Sequence, residues 1–198
     1  KVMSAADFET PQDRKRCFFV AVRSDIMDKA GLNFMTLESE VYPTPTTPKH
    51  IGVKEAIEDC INDPEQEKEL FDYVQNGFQK KWIELLEFNP KKHRKPSDPD
   101  FIDINPKRSM FNMIRPAPHL PCPTLTQRGQ QMSVSGVFHY AKNRKFTIPE
   151  LKRLMGLPED FKLEGKFDKQ AERIGRMVAP LMMKNLASNI YEKVIKRT

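Results

Sequence analysis

Six apolar residues recur four apart near the end of the chain: Ile174, Val178, Met182, Leu186, Ile190 and Val194. That spacing returns close to one face of an α-helix at every turn. It predicts a helix over roughly 169–196 whose stripe other elements must cover. Near the start, Arg16-Cys17-Phe18-Phe19-Val20-Ala21-Val22-Arg23 is a short apolar run, rich in β-formers, between charged ends. It predicts a buried strand, with Cys17 in the core. Such a strand and an amphipathic helix are parts of a layered sheet domain, and further strands for that sheet are not evident in the sequence.

The middle of the chain is punctuated by prolines, at Pro43, Pro45 and Pro48 and again from Pro90 to Pro106. Between them, Pro64 suits a first helical position behind Asn62 or Asp63 as cap, with Glu65 and Glu67 in the first turn. Leu70, Val74 and Phe78 then repeat every four residues, with Phe71 and Trp82 near the same face, and read as core. Gly77 ends or bends this helix. Residues 88–112 are polar and irregular, as an exposed functional loop would be. Thr147-Ile148-Pro149-Glu150 is a capping-box pattern, followed by Leu151, Leu154 and Met155, Gly156 as a stop and Pro158 beyond it.

Composition narrows the class. At 38% apolar residues the chain can bury a core, and it holds no run of 18 apolar residues to cross a membrane. Its first residues lack a secretory signal, and without an initiator methionine Lys1 reads as a cut point. Cys17, Cys60 and Cys122 lie far apart, with no CxxC pair and no histidine at ligand spacing. No metal site and no disulfide framework are expected, and the compartment is expected to be reducing, hence cytoplasmic. His119 and His139 read as surface or polar-network residues. The formal charge of +6 permits a polyanionic partner without demanding one. Positive charge is densest at Lys91-Lys92-His93-Arg94-Lys95, which reads equally as a solvated loop or as phosphate contact.

Three blocks carry a family resemblance. Gln12-Asp13-Arg14-Lys15-Arg16 and the run after it resemble the glutamine-x-arginine-x-arginine block of DNA (cytosine-5) methyltransferases. Pro121-Cys122-Pro123-Thr124-Leu125-Thr126 resembles the family's Pro-x-x-Thr-Leu block, and Arg144 to Phe161 the stretch that follows it. Arg173-Ile174-Gly175-Arg176-Met177-Val178-Ala179-Pro180 is similar to the closing Gln-Ile-Gly-Asn-Ala-Val-Pro-Pro block. The chain departs from the pattern at Arg176, Met177, Ala179 and Leu157. The interval 28–118, where nothing matches, is where the family carries its variable target-recognition domain.

The resemblance implies a mixed α/β fold. Residues 1–27 and 129–198 would be the C-terminal strand and helices of a doubly wound methyltransferase sheet domain, and 28–128 a small irregular target-recognition domain. It implies double-stranded DNA as partner and S-adenosylmethionine as cofactor, in a restriction-modification or phage setting. A cytosine is flipped out of the duplex for methylation. Arg14 and Arg16 would face the active site, holding cytosine or phosphate with planar guanidinium forks, and Gln12 would shape the turn. Lys91, Lys92, Arg94, Lys95, Lys107, Arg108, Thr124 and Arg144 would contact DNA. Gly175, Arg176 and Met177 would border the cofactor pocket.

The family's glycine-rich cofactor loop, Pro-Cys nucleophile loop and Glu-Asn-Val block do not occur in this sequence. Pro121-Cys122 lies inside the second block, so Cys122 reads as a small packed residue. The sequence therefore describes the DNA-recognition part of such an enzyme, inactive without a catalytic portion supplied as a subunit or an upstream segment. A non-enzymatic sequence-specific DNA-binding module is the alternative, and a basic adaptor the third reading.

Overall fold

In the computed structural model, which describes residues 1–86 and 89–198, the chain opens with strand β1 (Val2–Ser4) and a single 3-10 turn, Ala5–Phe8. It continues through β2 (Gln12–Asp13) into β3 (Lys15–Cys17). β1 and β3 pair antiparallel, with Met3 opposite Arg16. β2 pairs in parallel with a distant strand, β4 (Cys122–Pro123), with Gln12 opposite Cys122. The described residues thus hold two two-stranded sheets, and the rest is mainly helical.

The strand expected over 16–23 stops at Cys17. Its ladder has partners only back to Val2, after which Phe18 exchanges hydrogen bonds with Lys1. Burial beyond this point alternates instead of being continuous. Phe18, Val20 and Val22 are half-buried, whereas Cys17 is exposed and Phe19 is 92% exposed. This is the pattern of a strand covered on one face, so Cys17 is not a core residue.

Helices α1 (Ser24–Lys29), α2 (Phe34–Val41) and α3 (Val53–Ile57) follow, α2 capped by Asn33, whose side chain accepts from the backbone N–H of Met35 and Thr36. In α4 (Pro64–Asn76), Asp63 accepts from the Glu65 N–H at 3.0 Å and Pro64 takes the first position, whose N–H has no helical partner in any case. The helix stops at Gly77, where a Cβ would meet the Tyr73 carbonyl at 2.8 Å. Trp82 consequently lies on a separate helix, α5 (Lys80–Leu85). Residues 89–112 are irregular apart from one 3-10 turn, Pro99–Phe101. Phe88, at the start of that expected loop, lies outside the described residues.

α6 (Ile148–Met155) carries the capping box between Thr147 and Glu150, and Gly156 ends it at φ +73°, a conformation open to glycine. The last expected helix divides into α7 (Phe167–Arg176) and α8 (Pro180–Lys193). Pro180 has no N–H for a continuing ladder and biases Ala179 to extended backbone, found at ψ 122°. The divided stripe still serves burial: Ile174, Met182, Leu186 and Val194 are all in the interior, while Val178, at the break, is exposed.

Three apolar cores result among the described residues. The main one joins Met3, Ala5 and Phe8 to Val53, Ile57, Cys122 and Leu125, to Leu151, Leu154 and Met155 of α6, and to Ile174, Met182 and Leu186. Cys122 is a fully buried packing residue whose thiol burial pushes far up its ionisation range. A second core gathers Val74, Ile83, Leu86, Met113 and Phe138, and a third Ala30, Leu32, Val41 and Val194. The main core thus draws on the start, the middle and the end of the chain, and the fold is mixed α and β. No described helix is long and apolar enough to cross a membrane.

Candidate functional site

The parallel pairing of β2 with β4 sets Gln12, Arg14, Thr124 and Leu125 side by side, and polar side chains lock the junction. Gln12 is buried. Its amide nitrogen donates to the Leu154 carbonyl at 3.1 Å, and its amide oxygen accepts from the Leu125 N–H at 3.1 Å. The Thr124 hydroxyl donates to the Asp13 carbonyl at 2.7 Å. Arg14 is 1% exposed; one Nη donates to the Leu125 carbonyl at 2.7 Å and the other to the Gly175 carbonyl at 2.8 Å. Its Nε has no partner among the described residues. Burial, aided by nearby Arg16, lowers the Arg14 pKa to about 10. The fork stays charged at neutral pH and works on main-chain oxygens.

Two side chains of the first block therefore tie it to the Thr-Leu block, to α6 and to the closing glycine. The expectation that Arg14 presents its fork to an open site is corrected: its fork is aimed inward. Arg16, half-exposed and bonded only to the Lys15 carbonyl at 2.7 Å, is the arginine of this pair that reaches the surface.

Gly175 sits where backbones cross. A Cβ there would lie 2.5 Å from the Thr126 carbonyl oxygen and 2.8 Å from the Gln127 Cα. Arg176 is exposed and pairs with Glu172 at 3.2 Å, and Met177 packs on the main core. With its carbonyl taken by Arg14 and its Cα against Thr126, Gly175 forms no cradle with its two neighbours. These three residues alone do not fit a nucleotide-type cofactor.

Arg144, expected on DNA, is inside. Both of its Nη groups donate to the Glu150 carboxylate at 2.8 Å, one also reaches Glu67, and Arg144 and Glu150 side chains are each 2% exposed. Burial raises Glu150, but the Arg144 hydrogen bonds outweigh it and hold the carboxyl below its ordinary range. Asn62 adds a bond to the same carboxylate at 3.0 Å. His139, stacked on Tyr140, lies 3.7 Å from Glu150, and burial lowers its pKa to about 4.

The basic tract divides. Lys91 and Lys92 are exposed. Arg94 is turned in, bonded to Asp100 at 2.6 Å with its guanidinium 4.8 Å from the Phe101 ring centre, and Lys95 is half-buried. Lys107 and Arg108 are exposed on a separate loop. Two residues outside the expected set also stand out. Lys145, fully buried, donates to the Gly129 carbonyl at 2.8 Å, and burial lowers its pKa to about 7. Asn105, 4% exposed, holds the loop that carries Lys107 and Arg108. No group of metal-binding side chains occurs among the described residues.

Comparison with known proteins places this geometry. The family model of C-5 cytosine-specific DNA methylases matches residues 1–192. The chain is 25% identical over 229 residues to the type II methyltransferase M.DdeI of Desulfomicrobium norvegicum, spanning 96% of this chain and 53% of that protein. It is 28% identical over 212 residues to the type II methyltransferase M1.HphI of Haemophilus parahaemolyticus, spanning 99% of this chain and 47% of that one. The chain thus covers about half the length of these relatives. Among solved structures, a candidate DNA modification methyltransferase encoded within an E. coli prophage superposes with a TM-score of 0.62 at 18% identity. That superposition covers 99% of this chain and 60% of the other, and it supports a shared fold.

Proposed function

Because this chain belongs to the C-5 cytosine-specific DNA methylase family, we propose that it is the DNA-reading and closing portion of an enzyme that methylates carbon 5 of cytosine in duplex DNA. The methyl donor of that enzyme is S-adenosylmethionine, and its setting is a restriction-modification system. A catalytic portion supplies the nucleophile and the cofactor cradle. The observation that carries this reading is the lock at Arg14. It draws the three family blocks into one unit and leaves Arg16 at the surface beside it.

In this reading Arg16 holds the displaced nucleotide or its phosphate, because a guanidinium keeps its charge and donates in a planar fork. Arg14 and Gln12 hold the backbone that carries it, and so act as positioning residues. Lys91, Lys92, Lys107 and Arg108 supply the DNA face. The exposed Phe19, at 92%, supports a covered position for the outer face of the β3 run in the complete enzyme.

The test is methyl transfer from labelled S-adenosylmethionine to duplex DNA. The 198-residue chain alone transfers nothing but binds duplex DNA at low salt. Supplying the catalytic portion restores transfer to cytosine. Transfer by the chain alone overturns the division of labour, and failure to bind duplex DNA at low salt removes the DNA-reading role.

A further inference from the structure

Two non-glycine residues close together hold left-handed backbone: Arg108 at φ +47° and Met110 at φ +59°. Such conformations are uncommon for residues with a Cβ, and they persist only where the surroundings impose them. Here the imposing group is Asn105, which is 4% exposed. Its side-chain nitrogen donates to the Pro96 carbonyl at 2.9 Å and the Ser109 carbonyl at 2.8 Å. Its side-chain oxygen accepts from the Ser109 N–H at 3.1 Å and the Ser109 hydroxyl at 2.8 Å. The Asn105 carbonyl also accepts from the Arg108 N–H at 2.9 Å. Met110, half-buried, packs on the second core and anchors the far side of the loop.

This scaffold presents Arg108 to solvent. Arg108 has no carboxylate within ion-pair distance among the described residues, unlike Arg94, which is neutralised by Asp98 and Asp100. Exposed apolar residues lie four positions before it and three after it in sequence: Ile104 is 50% and Phe111 71% exposed. A guanidinium without a carboxylate partner among the described residues, on a loop pinned by hydrogen bonds and held in left-handed backbone, suits insertion into a groove where its fork meets base edges. A phosphate contact has no need of such rigidity, because a flexible lysine meets it equally well.

Resting on the DNA-reading role above, we propose that Arg108 is the residue that reads a guanine edge in the target site, and that Asn105 is its positioning residue. The guanidinium donates in bidentate fashion to the guanine O6 and N7 in the major groove. Asn105 fixes the direction from which the fork arrives. Lys107, beside it, contacts phosphate.

The experiment is selection of bound duplexes from a randomised pool, using the full chain and its R108A, R108K, R108G and N105A variants, with melting temperature measured in parallel. The parent chain enriches a motif containing guanine. R108A and R108K lose preference at one guanine, on the order of 10- to 100-fold, and keep the rest of the motif. R108G loses the same preference while melting no lower than the parent, because glycine adopts the left-handed backbone freely. N105A relaxes the same position although its arginine is intact. An unchanged motif in R108A overturns the proposal, as does uniform loss across all positions in R108G. If the parent binds no duplex at all, the DNA-reading role itself falls, and the Arg108 assignment with it.

Discussion

The guanidinium of Arg14 donates to the carbonyl of Gly175 at 2.8 Å, across 161 positions of sequence. The same group reaches Leu125, so one side chain closes three segments that the family resemblance could only arrange in order. Arg16, two residues on, is partly exposed, and its side chain bonds the neighbouring Lys15 carbonyl and no distant segment among the described residues.

These two arginines should therefore separate experimentally. Arg14→Met leaves the Leu125 and Gly175 carbonyls without donors and costs about 2–5 kcal/mol, read as a lower urea midpoint. Arg16→Ala changes stability by about 0.5 kcal/mol or less. In the complete enzyme it lowers methyl transfer more than DNA binding. Equal stability losses in the two variants would show that Arg14 is not the lock.

Gly175→Ala tests the crossing itself. The new methyl carbon meets the Thr126 carbonyl and Gln127 Cα, both main-chain atoms with little freedom to retreat. A loss of about 1–3 kcal/mol is expected in chemical denaturation. The nearby Arg176→Ala, which removes only an exposed ion pair with Glu172, stays within about 1 kcal/mol of the parent.

Lys145 makes stability depend on pH with a defined sign. Burial lowers its pKa in the folded chain to about 7, against an ordinary value of 10.5. Between these values the unfolded chain holds the proton and the folded chain does not, so folding gains stability as pH rises through this window. Below pH 7 the gain is absent. Lys145→Met removes this dependence. The melting temperature of the parent should rise relative to that of the variant as the buffer moves from pH 7 towards 10, and a constant difference would contradict it.

In the proposed DNA-reading role, exposed Lys91 and Lys92 meet phosphate, Lys92 giving up its 3.6 Å pairing with Asp100, whereas Arg94 is turned inward. Replacing either lysine by alanine should lower the slope of log affinity against log salt by about one, with base preference unchanged. Arg94→Ala instead loosens the loop held by Asp98, Asp100 and Phe101, and shows first in thermal stability. If Lys91 and Lys92 neutralised together leave affinity and slope unchanged, the tract lies off the DNA face.

Features fixed by neighbours in sequence were legible. The Thr147–Glu150 capping box, Asp63 with Pro64, and Gly156 depend on backbone groups two to four positions away, and each stands as read. Features fixed by distant partners were not. The run after Arg16 has strand-forming residues, but its ladder ends where β1 has no further partner to offer. Arg144 resembles a surface cation until Glu67 and Glu150 are seen beside it, 77 and 6 positions away. The acid read only as a cap is also the counter-ion. Asn105 gave no signal, because nothing in its composition or spacing marks a side chain that makes four hydrogen bonds to Pro96 and Ser109.

The parallel strand pair has a consequence for how the chain reaches its structure. β2 finds β4 only after more than a hundred intervening residues exist, and the Arg14 bond to Gly175 forms later still. Contacts so far apart in sequence carry a large loop-closure penalty and slow folding. During synthesis β2 therefore stays unpaired until β4 has been made, and the Arg14 fork stays unmet until Gly175 has followed. The β1–β3 pair that bears Arg16 is local and can form early, but the β2 edge beside it stays unpaired for longer and is open to mispairing until β4 arrives.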